Sequence, residues 1–103
     1  LQRQGVPLQK QFAVYLLGSS RLGTLYTGVT SDLVKRVGQH RQGVVRGFTE
    51  KYGVKLLLWY ELHNTAESAI SREKQIKKWR RPWKIALIEK ANPYWRDLYE
   101  SLF

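Results

Sequence analysis

The stretch Phe12-Ala13-Val14-Tyr15-Leu16-Leu17, followed after a short turn by Thr24-Leu25-Tyr26-Thr27-Gly28-Val29, decides how the rest of the chain is read. Each run is made of β-branched, aromatic and aliphatic residues, and Gly18 to Gly23 between them supplies turn formers. Two such runs around a Gly-bounded turn predict a β-hairpin. If its loop is centred symmetrically, paired position numbers sum to a constant. Tyr15 then falls directly across from Tyr26, and the two phenols share one face.

Outward from the hairpin, Ser31 followed by Asp32 predicts an N-cap with an acidic first turn. The helix it opens carries Leu33, Val34 and Val37 as its apolar stripe and frays near Gly43. Gln42 to Lys51 has two glycines and no period, the mark of a surface loop, and Val54 to Leu62 reads as a third strand. Thr65 caps a helix running through about Trp79, and Pro82 sits in the first turn of another that Asn92-Pro93 stops. A last short helix around Trp95 to Leu102 returns its aromatics to the core. The order β-β-α-β-α-α, plus the short C-terminal helix, predicts an α+β fold in which helices flank a three-stranded antiparallel sheet. Residues 1–11 read as an N-terminal arm or appended remnant, and residues 12–103 as one domain, since 103 residues suffice for a single core.

Composition narrows the partner. Eighteen Lys and Arg against eight Asp and Glu give a net charge of +10, a field that favours polyanions, nucleic acid first among them. An anionic membrane surface or an acidic protein fits the charge as well. No apolar run approaches a membrane span. The absence of cysteine removes disulfides and thiolate metal sites, so any metal is held by oxygen or imidazole, which points to a hard cation such as Mg²⁺ or Mn²⁺. With no apolar signal core the location defaults to the cytoplasm. With no Met the chain is not a whole translation product that keeps its initiator.

On the helix from Thr65 to Trp79, a turn of about 100° per residue puts Ala66, Ala69, Ile70 and Ile76 on one stripe, with Glu73 near its centre. A carboxylate on a packing face needs a basic partner, a metal or a functional cleft; a salt bridge and a functional role explain it equally. Glu67 lies off the stripe and reads as a solvated first-turn acid. Arg36 and His40 stand four residues apart on one face of the earlier helix, flanking its apolar stripe. Arg36 suits a phosphate through paired charge-assisted bonds and His40 can move a proton near neutrality, although such a pair is also ordinary surface chemistry. Tyr15 and Tyr26 equally fit a plain cross-strand aromatic pair. The run Lys77, Lys78, Trp79, Arg80, Arg81, Pro82, Trp83, Lys84 interleaves charge with indoles, as a backbone grip with stacking bases requires. Trp79 and Trp83 are read as core, with the charges facing water. Lys35 and Arg41 join Lys77, Lys78, Arg80, Arg81 and Lys84 as candidate nucleic-acid contacts.

Taken together, Ala13-Val14-Tyr15, Tyr26-Thr27-Gly28, Arg36, His40, Glu73, the stretch Arg72 to Lys77 and the tail Asn92 to Tyr99 resemble the GIY-YIG nuclease superfamily. The likeness is to its small stand-alone branch and to the catalytic domain of the excision-repair incision subunit. It spans about Phe12 to Leu102. Ala13 stands where the family has glycine, Thr27 where it has isoleucine, and Val29 where some relatives carry lysine, one positive charge fewer. The resemblance implies a metal-dependent DNA endonuclease with Tyr15, Tyr26, Arg36, His40 and Glu73 as catalytic residues. It makes Glu73 the metal ligand, with Glu67 the second candidate, and implies a structure-directed or weakly specific cut in DNA repair or recombination.

The implied chemistry has Glu73 hold one Mg²⁺ or Mn²⁺, Arg36 donate to the phosphoryl oxygens and Tyr26 deprotonate water. A tyrosine of ordinary pKa about 10 needs nearby positive charge or a relay; His40 or Tyr15 supplies it, and His40 and Tyr26 can exchange roles. The expected partner is DNA, with RNA also open, bound by a monomer or weak homodimer. The competing class is a non-catalytic nucleic-acid-binding module that keeps the fold, and a third is a protein-interaction domain using the tail near Trp95 and Tyr99.

Overall fold

The computed structural model describes residues 11–43, 47 and 51–103. The rest of the expected N-terminal arm and most of the expected Gln42–Lys51 loop lie outside these residues. In chain order the elements are strands β1 (Phe12–Gly18) and β2 (Leu25–Thr30), helix α1 (Leu33–Gln42), strand β3 (Leu56–His63), helices α2 (Ala66–Lys77) and α3 (Arg81–Ala91), and a 3-10 turn over Tyr99–Leu102. The sheet order is β2-β1-β3, antiparallel at both pairings. The α+β architecture is the one the sequence predicts.

The central strand is buried on both faces: Ala13 to Leu17 are at most 1% exposed. That explains a continuous apolar run where a half-buried strand would alternate. On one face Ala13, Tyr15 and Leu17 pack against Leu33 and Val37 of α1, Val54, Leu57 and the C-terminal Leu98, Tyr99 and Leu102. On the other, Val14 and Leu16 pack against Ala69, Ile76, Ile88 and Trp95. A register shift between Leu16 and Leu17 turns two successive residues, Leu58 and Trp59, to this second face, as a bulge does.

Several local expectations are corrected. Gly18 pairs with Leu25, and the Ser19 amide bonds to the Thr24 carbonyl at 3.0 Å, so the turn is centred later than the symmetric reading. Tyr15 consequently faces Gly28, and Tyr26 faces Leu17; the tyrosines are diagonal neighbours on one face. The α1 cap is Asp32, whose Oδ1 accepts from the Lys35 amide at 3.2 Å, with Ser31 exposed just outside. Val34 and Ile70 are exposed. The buried stripes are Leu33, Val37, His40 on α1 and Ala69, Glu73, Ile76 on α2, spaced i, i+4, i+7. Gln42 is still helical, and the Lys51 amide donates to the Gly47 carbonyl at 2.9 Å, a helical bond.

Thr65 caps α2 through the Ser68 amide, Gly43 ends α1 at φ 75°, and α3 carries proline in its first turn, as expected. The tail differs. Trp95 adopts φ 55° and is buried, and only Tyr99–Leu102 is helical. The segment before it lies along the outer edge of β3. Leu98 donates its amide to the Leu57 carbonyl at 2.7 Å, Asp97 Oδ1 accepts from the Leu57 amide, and Asn92 Nδ2 donates to the Leu58 carbonyl at 3.0 Å. Those strand-edge bonds replace the helical ones the pattern predicts.

Candidate active site

The first motif half lies in the buried centre of the sheet, and its tyrosine ring crosses the second half at a residue without a side chain. A Cβ on Gly28 would overlap Tyr15 Cζ and its hydroxyl oxygen. Gly28 is therefore a space requirement for the Tyr15 ring, with no special backbone angle involved. Tyr15, Tyr26 and His40 form a triangle with ring centroids 6.3, 6.0 and 5.5 Å apart, all tilted or edge-on. The Tyr15 hydroxyl and His40 Nε2 share a hydrogen bond of 3.2 Å.

His40 is on the α1 stripe itself, where the sequence puts it beside the stripe. Burial pushes its pKa down to about 4, with the Arg36 guanidinium adding to the effect, so it is a neutral imidazole at pH 7. Burial, then Tyr26, pushes the Tyr15 hydroxyl up to about 12 against the opposing pull of Arg36. Tyr15 is thus a protonated phenol at neutral pH. Arg36 bonds Gln39 Oε1 at 3.3 Å and acts electrostatically on both Tyr15 and His40, which brings it into the cluster.

Glu73 comes from the helix layer on the opposite side of the sheet. It is 7% exposed, and its charge still reaches Tyr15, raising that hydroxyl's pKa. Its Oε2 is 2.6 Å from Lys77 Nζ, one turn on. The bond to Glu73 lifts the Lys77 pKa, and Tyr26 also acts on it. Tyr15, Tyr26, Arg36 and His40 are thus brought together on the α1 side of the sheet, while Glu73 reaches them from the other side through its charge on Tyr15, with Lys77, which the sequence reading puts among the DNA contacts, as its partner. The Glu-to-Lys spacing of four is the signal that could have found it. Glu67 is exposed in the first turn of α2.

The other candidate cations divide. Arg41 pairs with Asp97 and lies over the Tyr99 ring, 4.5 Å from its centroid, so it clamps the tail to α1. Arg81 donates to the Leu22 and Gly23 carbonyls at 2.6 and 2.7 Å, tying α3 to the β1–β2 turn. Lys35, Lys78 and Arg80 face solvent. Burial lowers the Lys84 pKa, as do the charges of Lys77 and Arg81, so these three cations form one cluster beside Glu73. Trp83 is 63% exposed, a correction to its core reading, while Trp79 is half-buried between the edge of Trp83 and the Arg72 guanidinium. A groove of about 880 Å³ opens on the other flank of α1 between Thr30, Tyr60 and Leu102; it shares Arg36 with the cluster.

The donor chemistry suits a hard divalent cation: one buried carboxylate, with oxygen donors and no thiolate. Among the described residues no group of three or more His, Cys, Asp or Glu is placed to enclose a metal. Mg²⁺ in particular takes one or two carboxylates and completes its shell with water and substrate phosphate. The residues present fit such a substrate-completed site.

This fold, with paired tyrosines on the central hairpin and a glutamate on the second helix, defines a class. Residues 11–86 match the GIY-YIG catalytic domain, and the chain belongs to that family, which points to nuclease chemistry in general. It is similar to UPF0213 proteins of Staphylococcus aureus, 34% identical over 76 residues, covering 74% of this chain and 92% of theirs. A UPF0213 protein of Staphylococcus saprophyticus is 34% identical over 69 residues, covering 67% and 84%. The solution NMR structure of a UPF0213 protein from Bacillus halodurans shares the fold, with a TM-score of 0.54 at 24% identity over 87% of this chain and 95% of that one.

Proposed function

We propose that the chain is a metal-dependent endonuclease that hydrolyses DNA phosphodiester bonds, structure-directed or weakly specific, and serves DNA repair or recombination. The observation that carries this reading is the convergence of Tyr15, Tyr26 and His40 with a buried glutamate whose charge acts on Tyr15. A packing role explains the rings and the Lys77 ion pair satisfies the carboxylate; what favours a site is the action of Arg36 and Glu73 together on the motif tyrosine Tyr15. Low specificity follows from size, since one small domain offers a limited footprint on DNA. Among the described residues no helix is long and apolar enough to cross a membrane, and the basic surface of the cluster suits a phosphate backbone.

Glu73 would hold the Mg²⁺ or Mn²⁺. That ion, when bound, supplies stabilisation of the charge growing on the scissile phosphate and the leaving oxygen. Arg36 donates to the phosphoryl oxygens from beside Tyr15. Tyr26 takes the proton of the attacking water as its own phenolic proton moves toward His40, an imidazole that is neutral at pH 7 but, being buried, a weak base that relays the proton and does not keep it. Tyr15, protonated at neutral pH, holds His40 in place through the shared hydrogen bond.

The Lys77 ion pair on Glu73 is the one observation that favours the second reading, a nucleic-acid-binding module without catalysis. The test is cleavage of labelled single-stranded, duplex and branched DNA with Mg²⁺, Mn²⁺ or EDTA, comparing the natural chain with Glu73→Ala. Metal-dependent cutting lost in the variant, with DNA still bound, is expected. Binding without cutting in every condition, or equal cutting by the variant, overturns the endonuclease reading.

A further inference from the structure

Glu73 and Lys77 form an unequal pair. The glutamate side chain is 9% exposed and fixed in the packing face, whereas the lysine side chain is 54% exposed on a flexible stem that can leave through solvent. Lys77 holds Oε2 of this carboxylate, and a dication bound directly to the same carboxylate brings two like charges close together, which repel strongly in a partly desolvated setting.

We propose that Lys77 alternates between two anions, the Glu73 carboxylate in the DNA-free protein and a DNA phosphate once a divalent cation takes Glu73. This rests on the metal-binding role proposed above for Glu73. The protein offers the displaced lysine little else. Among the other described carboxylates Glu61 is held by His63 and Arg72, Glu89 by Trp95, Asp97 by Arg41, and Asp32 caps α1, while Glu67 is exposed in the first turn of α2 and Glu100 in the C-terminal turn. Lys84 and Arg81 stand in the same neighbourhood, so releasing Lys77 from Glu73 joins three cations with no carboxylate among them. Such a cluster attracts a phosphodiester. Divalent cation and DNA therefore each favour the binding of the other, through one side chain and without a change of fold. The coupling is reciprocal, as linkage requires. It also keeps the buried carboxylate paired whenever the cation is absent, which avoids the cost of an isolated buried charge.

The experiment has two parts on the full chain. Mn²⁺ alone is titrated, with the free ion followed by electron paramagnetic resonance, into the natural protein, Lys77→Gln and Glu73→Gln. Lys77→Gln is expected to bind Mn²⁺ roughly fivefold more tightly than the natural chain, the low end of typical coupling, and Glu73→Gln to lose the site. Fluorescence anisotropy then measures affinity for a duplex in EDTA and in Ca²⁺. The natural protein gains more from Ca²⁺ than Lys77→Gln does. Equal Mn²⁺ affinity in the natural chain and Lys77→Gln, with binding still lost in Glu73→Gln, overturns the switch and leaves Glu73 as the ligand. Mn²⁺ binding unaffected by Glu73→Gln overturns the metal role of Glu73, and the switch with it.

Discussion

Tyr15 lies across Gly28 with no room for a single further carbon between them. The glycine of the second motif half is therefore defined by the tyrosine of the first. Gly28→Ala should displace the ring, cost about 1–3 kcal/mol of stability as overpacking does, and lower cleavage sharply. In a Tyr15→Ala background the same alanine should cost far less. Urea unfolding of the four proteins checks this: equal costs in both backgrounds would show that the glycine is needed for something other than the ring.

His40 makes the fold sensitive to acid. Its folded-state pKa of about 4 lies below the ordinary value of about 6.5, so between those limits the unfolded chain binds more protons. The His40 contribution to stability therefore rises with pH from about 4 to about 6.5 and is flat above. The full span corresponds to about 3 kcal/mol for this residue. Denaturant midpoints from pH 4 to 7 should show a shallower slope in His40→Gln than in the natural chain, and parallel slopes would count against a buried neutral imidazole.

Thr27 stands in β2 at 4% exposure, and its Oγ1 is a buried atom with no hydrogen-bond partner among the described residues. Leaving a hydroxyl unsatisfied costs about 1–3 kcal/mol. Thr27→Val, which keeps the shape, should raise the melting temperature by roughly 4–8 °C per kcal/mol recovered. A lower melting temperature would mean that the hydroxyl is used.

Arg41 and Lys84 should separate stability from DNA binding. Arg41→Gln breaks the clamp on Asp97 and Tyr99 and should lower the melting temperature while leaving the salt dependence of DNA binding unchanged. Lys84→Gln should do the reverse, reducing the slope of log affinity against log salt by about one. Anisotropy titrations at several salt concentrations, beside thermal melts, distinguish the two outcomes.

What the sequence makes legible depends on how local its cause is. Thr65, Gly43 and Pro82 act within one turn of themselves, and their helices begin and end where they stand. Glu73 is legible as buried because helical spacing fixes its face. The Tyr15 and Tyr26 register fails by two positions because Ser19, which reads as loop, continues the pairing by bonding to Thr24, a choice that turn composition alone does not reveal. Val34 and Ile70 mislead because hydrophobicity does not choose which of two adjacent apolar residues faces the sheet. His40 takes the stripe position because it meets Tyr15, a contact between residues 25 apart in the chain. The Arg41 partner is more distant still, 56 residues away, and no spacing rule joins them.

The tail bonded along β3 has a consequence for the behaviour of many copies together. An outer strand with bare amides and carbonyls invites another chain to add itself, copy upon copy. Asn92, Asp97 and Leu98 occupy those groups at Leu57 and Leu58. The same few residues that complete one molecule therefore also deny a second copy that end of β3 as a template.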